Sequence, residues 1–186
     1  RIPHAALVAT QVKYLARART KLPSYYEARC ILPPLAFEQA SSEACAARKS
    51  CSGNTVLDLT CGLGVDALYL SKRFREVITL ERDATLAAVA EKNFRRLGAT
   101  NIRVINSSAE AFLASTLDHF DWIYADPDRR SAGGRKLVRL EDCSPDIPKL
   151  LPELRRIAPN LCVKNSPLFD VGETFRLFGP CRTEVV

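Results

Sequence analysis

The chain has 186 residues, a formal net charge of +6 and seven cysteines. This length suits one domain with an appendage, and no apolar run approaches the roughly 20 residues that a membrane-spanning helix needs. The cysteines form no Cys-x-x-Cys pair, so we expect no disulfide framework, no metal site and a reduced, cytoplasmic setting. The basic charge is compatible with a polyanionic partner, although cations that only solvate helix surfaces would give the same balance.

The first 52 residues predict a helical segment that packs on the domain after it. Residues 3–19 follow the helical period, and residues 25–34 are interpreted as a connector broken by prolines. Ser42 is placed to cap a second helix over residues 43–48. Because the chain begins at Arg1 and contains no Met, we expect it to be a fragment of a longer protein.

From residue 53 onward, segments with strand and helix patterns alternate. Strands are predicted over residues 55–60, 76–81, 102–106, 121–126 and 160–164, and helices over residues 65–74, 84–97, 109–115 and from 144 to 157. Alternation at this spacing predicts the α/β class, with a parallel sheet that carries helices on both faces. The domain is expected to occupy residues 53–186.

A glycine-containing loop follows the first of these strands. Gly62 and Gly64 separate the strand from the next helix, which is the layout that places a ligand at the carboxyl end of a parallel strand. Glu81 ends the following strand, and an acidic residue about 20 positions after such a loop usually accepts a ribose hydroxyl. The pattern therefore indicates a cofactor that contains a nucleoside.

Two cofactor classes fit this layout. The spacing Gly62-x-Gly64-x-x-Ala67 satisfies the dinucleotide fingerprint, which keeps an NAD-type oxidoreductase as an alternative. We expect Asp58, near the end of the first strand, to point its carboxylate into the crevice. There it would repel a pyrophosphate and attract the sulfonium and amino groups of S-adenosylmethionine (SAM).

Several motifs resemble those of class I SAM-dependent methyltransferases, which have a Rossmann-like fold. Residues 56–64 resemble their first motif, residues 80–83 their acidic ribose motif, and Asp126-Pro-Asp-Arg-Arg130 their fourth motif. A narrower resemblance is to a bacterial group that carries a THUMP-like C-terminal domain. It is carried by Gln39-Ala-Ser-Ser-Glu43, Asp142-Cys-x-Pro-Asp146 and Lys164-x-Ser-Pro167. The resemblance implies that a missing C-terminal part completes the sheet and adds that domain, and that RNA is the substrate.

The resemblance also implies roles for individual residues. Asp126 would orient a substrate amine or accept its proton. The cofactor would contact Asp58, Thr60, Gly62, Gly64, Glu81, Arg82, Ser108 and Ala109. The substrate would contact Asp128, Arg129, Arg130 and Lys164. Ser108 stands where the class usually has Asp near the adenine amino group, and Thr60 stands where many members have Gly.

Other interpretations stay open at this point. Asp-Pro-x-Arg also resembles uracil-C5 RNA methyltransferases, but these need a cysteine nucleophile after the fifth strand, and residues 164–167 contain none. Cys162 lies within that strand and is expected to be core. A degenerate domain that binds RNA or another partner without turnover is the third hypothesis, because Ser108 is uncharged and no aromatic residue follows Asp126-Pro127. Lys164 either contacts substrate or extends from the sheet edge to solvent.

Overall fold

The computed structural model of the chain describes residues 4–128, 139–165 and 170–184. Within these residues, five strands form one sheet and helices flank it. The strands are β1 (Gly53–Asp58), β2 (Phe74–Glu81), β3 (Ile102–Asn106), β4 (Trp122–Ala125) and β5 (Asn160–Val163). The α-helices are α1 (Ala5–Lys21), α2 (Pro23–Glu27), α3 (Pro34–Gln39), α4 (Glu43–Ala46), α5 (Val65–Leu70), α6 (Ala84–Arg96), α7 (Ala109–Ser115), α8 (Ile147–Ile157) and α9 (Val171–Phe178). The predicted α/β class is confirmed.

All neighbouring strands are parallel, in the order β3-β2-β1-β4-β5. Parallel strands present their carboxyl ends at one edge of the sheet, where open α/β sheets bind ligands. In the register of β1 and β2, Asp58 lies beside Thr79. Strand β2 therefore runs two residues past the end of β1, and Glu81 lies at its tip.

Each face of the sheet carries its own apolar core, because successive side chains of a strand point to opposite faces. Val56, Val77 and Tyr124 pack on one face against α5, α6 and the segment before β1. Leu57 and Ile123 pack on the other face with side chains of α7 and α8. The predicted arrangement of helices on both faces is thus confirmed, and the helical N-terminal segment shares the first core.

The N-terminal segment contains more helix than the sequence predicted. Helix α2 overlaps the start of the connector expected over residues 25–34, and α3 begins at its last residue; each helix has a proline in its first turn. Proline suits that position because its missing N–H has no partner inside a helix. Glu43, which is 5% exposed, accepts hydrogen bonds from the Ser24 N–H at 2.8 Å and from the Tyr69 hydroxyl at 2.9 Å. This buried carboxylate holds the segment against α5.

Other predicted boundaries differ by a few residues. The helix expected over residues 65–74 ends at Leu70, and Phe74 begins β2 instead. The helix expected from residue 144 begins at Ile147, where the Asp146 carboxylate accepts the Lys149 N–H. Helix α9 was not predicted. None of the helices in the described part of the chain combines the length and apolar character that crossing a bilayer requires.

Candidate cofactor and substrate site

A cavity of about 680 Å³ lies at the carboxyl end of the sheet. This volume falls within the roughly 300–1,000 Å³ usual for small-molecule sites. Its walls come from the loops after β1, β2, β3 and β4 and from residues 35–41 of the N-terminal segment. Among the described residues that line it, the acidic ones are Glu38, Asp66, Glu81, Asp83, Glu110, Asp126 and Asp128, and the basic ones are Arg82 and Lys164. The described lining is therefore acidic in a chain that is basic as a whole.

Asp58 does not face this cavity. Its side chain is fully buried, at 0% exposure, and its carboxylate accepts hydrogen bonds from the Thr60 N–H at 2.9 Å and the Thr79 hydroxyl at 2.7 Å. Burial, reinforced by nearby Asp66, raises the pKa of Asp58 to about 7 against these hydrogen bonds. The prediction that this carboxylate points into the crevice is wrong: the register with β2 places it beneath the glycine loop, which it supports.

Thr60 connects the loop after β1 to the loop after β4. Its hydroxyl donates to Asp58 at 3.2 Å and accepts the Asp126 N–H at 2.8 Å. Glycine at this position could make neither bond, so the side chain of Thr60 has a positioning role here. The backbone of Asp126 is consequently tied to the buried carboxylate of Asp58 through one hydroxyl.

Glu81 ends β2, as predicted, and it contacts the glycine loop. One carboxylate oxygen accepts the Gly62 N–H at 2.9 Å, and the other accepts the Asp83 N–H at 2.9 Å. Each oxygen of an ionised carboxylate can accept a further hydrogen bond. Glu81 is thus fixed in orientation while it lines the cavity, as a ribose-hydroxyl acceptor would need to be.

The two glycines of the loop have different roles. Both have positive φ, +55° at Gly62 and +86° at Gly64. Gly62 lines the cavity, and a Cβ there would meet no atom within 4 Å. A Cβ on Gly64 would lie 2.4 Å from the Phe94 ring, so Gly64 is needed because α6 packs closely against the loop.

Ser108 and Ala109 lie at the cavity wall after β3. The Ser108 hydroxyl accepts the Ala111 N–H at 3.2 Å and caps α7. Arg82 lies on the neighbouring wall, and its guanidinium donates to the Ser144 hydroxyl at 2.9 Å. These three predicted cofactor residues are therefore brought to the cavity that Glu81 and Gly62 also line.

Asp126 and Lys164 meet across the ends of β4 and β5. The Lys164 ammonium donates to Asp126 Oδ2 at 2.5 Å and to Ser41 Oγ at 2.7 Å. Burial alone would lower the pKa of Lys164, but the charges of Asp126 and Asp66 outweigh it and raise that pKa overall. Lys164 is therefore cationic. Its side chain is paired with the predicted catalytic carboxylate of Asp126 and does not extend from the sheet edge to solvent.

Asp128 lies at the rim of the cavity. Its backbone pairs with that of Ser144, with N–H to carbonyl distances of 2.8 and 3.1 Å, and its carboxylate accepts a long 3.5 Å contact from the Gln39 amide. Arg129 and Arg130, predicted to contact substrate, lie outside the described residues. On this part of the cavity rim, the structure therefore describes only the side that Asp128 and Gln39 form.

Sequence reasoning missed Ser41, Lys49, Asp66 and Tyr124, which extend the Asp126–Lys164 pair into the protein. Asp66 forms an ion pair with Lys49, and it accepts hydrogen bonds from Ser41 at 3.0 Å and from the Tyr124 hydroxyl at 3.1 Å. The position of Asp66, two residues after Gly64, was the available sequence signal that it lies near the site. Its partners come from distant parts of the chain, so no local pattern predicts them.

Cys61 lines the cavity but is 5% exposed, and burial raises the pKa of its thiol well above the ordinary value. A thiol in that state is a poor nucleophile. In the described ranges, no cluster of three or more His, Cys, Asp or Glu side chains could hold a metal ion.

Known proteins resemble this chain over the same elements. Residues 56–131 match the family model described as a methyltransferase domain. A solved structure from Porphyromonas gingivalis W83, described provisionally as a methyltransferase, is 31% identical, with a TM-score of 0.80. The match covers 95% of this chain and 45% of that one.

Two ribosomal RNA methyltransferases are similar over part of the chain. Ribosomal RNA small subunit methyltransferase J of Coxiella burnetii is 31% identical over 130 residues, which are 62% of this chain and 51% of that protein. The 23S rRNA (uracil(1939)-C(5))-methyltransferase of Stenotrophomonas maltophilia is 40% identical over 80 residues, which are 41% of this chain and 18% of that protein. This chain spans about half or less of the length of these relatives.

Proposed function

We propose that the protein transfers a methyl group from SAM to a nitrogen atom of an RNA base, since residues 56–131 match the methyltransferase domain family and the sheet is Rossmann-like. The acidic cavity that Glu81 and the glycine loop line is the observation that carries this proposal. A ligand with a sulfonium and an amino group gains from such surroundings, whereas the pyrophosphate of NAD would be repelled.

The proposed cofactor contacts follow from the lining. Glu81 would accept the ribose hydroxyls, Gly62 would allow close approach of the nucleoside, and Ser108 and Ala109 would lie at the adenine. Bound SAM would supply a methyl group for in-line displacement from sulfur, a reaction that depends on positioning and on exclusion of water. Asp58 is not proposed as a cofactor contact, because it acts through Thr60 from beneath the loop.

Asp126 is proposed to accept a hydrogen bond from a substrate amine and to orient its lone pair toward the methyl group. A covalent route through a cysteine is disfavoured, because Cys61, the described cysteine at the cavity, is buried with a raised thiol pKa. We therefore favour nitrogen over uracil C5, although one relative is named for C5 methylation.

RNA as the substrate is supported by the names of the two relatives and by the net charge of +6. Arg129 and Arg130 are proposed to contact its phosphates, as guanidinium groups do in nucleic-acid interfaces. A cytoplasmic location and a THUMP-like domain in the full-length protein belong to the same proposal. A non-catalytic RNA-binding domain remains the competing function, because Ser108 gives the adenine site no charge.

The test begins with calorimetry of the protein with SAM and with NADH. We expect saturable SAM binding and no NADH binding; NADH binding without SAM binding would overturn the cofactor. Total RNA is then incubated with the full-length protein and SAM labelled on the methyl group, and digested nucleosides are identified by mass spectrometry. An N-methylated base supports the proposal, 5-methyluridine would overturn the nitrogen target, and SAM binding without incorporation would favour the non-catalytic domain.

Asp126→Asn is the matched active-site variant, and Asp118→Asn, at an exposed position, is its control. We expect the first to lower kcat by roughly 10²-fold or more, as loss of an acid–base or orienting group does. The second should leave kcat unchanged.

A further inference from the structure

We propose that Lys164 is a positioning residue, which holds the Asp126 carboxylate in place and does not contact RNA. The role of Asp126 in this inference rests on the proposed function. The alternative is the role predicted from the sequence, in which the lysine contacts substrate as a phosphate-binding cation.

The contacts of the Lys164 ammonium are made by the protein itself. An ammonium has three N–H donors. Asp126 Oδ2 and Ser41 Oγ accept at 2.5 and 2.7 Å, and Asp66 Oδ2 lies 3.9 Å away in a third contact. The side chain is 26% exposed. A cation surrounded in this way has little capacity left for a phosphate.

The position of Lys164 is itself fixed from several elements. Asp66, at the start of α5, is held by Lys49, by the Tyr124 hydroxyl from β4 and by Ser41 from the N-terminal segment. No buried side-chain polar atom within the described residues lacks a hydrogen-bond partner. Moving the ammonium toward solvent would break this set, which a flexible phosphate-binding lysine would not require.

The charges around Asp126 explain what the Asp126–Lys164 ion pair would do. Asp66 and Asp126 carry two negative charges, and Lys49 and Lys164 carry two positive charges. Without Lys164, Asp126 would lose this ammonium, while Asp66 would stay nearby. Its carboxylate would then be easier to protonate and less firmly held, so it would be a poorer acceptor for a substrate amine.

Lys164→Met tests this inference, with Lys92→Met at an exposed position of α6 as the control. The first readout is the pH titration of the Asp126 Cγ resonance by ¹³C NMR. We expect its midpoint to lie at least one pH unit higher in Lys164→Met than in wild type, and to be unchanged in Lys92→Met. An unchanged midpoint in Lys164→Met would overturn the proposal.

The second readout is kinetic and separates positioning from RNA contact. We expect kcat to fall at least tenfold and the acid limb of the pH–kcat profile to move to higher pH, with KM for RNA within twofold. A raised KM with unchanged kcat would overturn the proposal. So would a salt slope of RNA binding that is shallower by about one, as loss of a phosphate contact predicts.

The NMR titration needs no turnover, so it separates failure of this inference from failure of the proposed function. A moved midpoint in a protein that does not methylate RNA supports the positioning role and counts against the enzyme. Lys164→Gln, which keeps a donor but removes the charge, replaces Lys164→Met if that variant does not fold. We expect it to move the midpoint in the same direction, and no movement would overturn the proposal.

Discussion

The ends of β1 and β2 carry two carboxylates that have opposite roles. Asp58 ends β1, is fully buried and supports the glycine loop from below. Glu81 ends β2 two residues beyond the position that pairs with Asp58, and lines the cavity above the same loop. Both belong to neighbouring strands and face the same side of the sheet. The difference shows that two more residues of strand place Glu81 at the cavity, whereas Asp58 is buried in the protein.

The largest effect that would separate the two acids is on stability. Asp58→Ala leaves the Thr60 N–H and the hydroxyls of Thr60 and Thr79 without their acceptor. At about 1–3 kcal/mol for each buried unsatisfied group, we expect the free energy of unfolding to fall by roughly 3–5 kcal/mol. Urea denaturation measures this.

Asp58→Asn is the matched control, because its amide can accept from Thr60 and donate to Thr79. It should lose no more than about 1 kcal/mol of the free energy of unfolding. A stable Asp58→Ala protein with weakened SAM binding would show that Asp58 acts on the ligand after all.

The pH dependence of stability gives the second effect. An acid with a folded-state pKa of about 7 holds its proton in the folded state at a pH where the unfolded chain, with a pKa near 3.9, has lost it. Its contribution to stability is therefore greatest at low pH and declines as pH rises through 7. Between pH 5 and 7 we expect a loss of about 2 kcal/mol in wild type relative to Asp58→Asn. A difference that is flat over this range, measured by urea denaturation at each pH, would contradict the raised pKa.

The smallest of the three effects is on ligand affinity. Glu81→Gln removes the charge that would assist a ribose hydrogen bond, so the Kd for SAM should rise about tenfold, or about 1.4 kcal/mol. Because Gln has one acceptor oxygen, either the Gly62 or the Asp83 N–H loses its acceptor, so the free energy of unfolding should fall by about 1–3 kcal/mol. Calorimetry with SAM measures the affinity, and Glu76→Gln, at an exposed position of the same strand, should bind as wild type does. Equal Kd values for the two variants would remove Glu81 from the cofactor site.

Local signals predicted the parts of the fold that depend on near neighbours. Strand β3 and helix α7 have the predicted bounds, because a glycine turn precedes the first and Ser108 caps the second. Helices α2 and α3 were missed because their prolines were interpreted as breaks, although proline in a first helical turn is favourable.

The site was predictable only as far as spacing along the chain determines it. Glu81 and Gly62 follow from the distance between loop and strand end. The burial of Asp58 depends on the register of β1 with β2, and the Asp126–Lys164 pair depends on β4 and β5 being neighbours. Neither is encoded in a local pattern, so the sequence predicted neither the burial of Asp58 nor the Asp126–Lys164 ion pair.

The segment before β1 limits where the protein could be truncated without exposing its core. Tyr25 is fully buried, and its hydroxyl donates to the carbonyl of Leu63, within the glycine loop, at 3.2 Å. A recombinant domain that starts at residue 53 would expose to water the surface that Tyr25 covers. It would also lose Ser41 from the cavity wall. Grafts or chimaeras of the sheet should therefore carry residues 4–52 with it, as one inseparable unit.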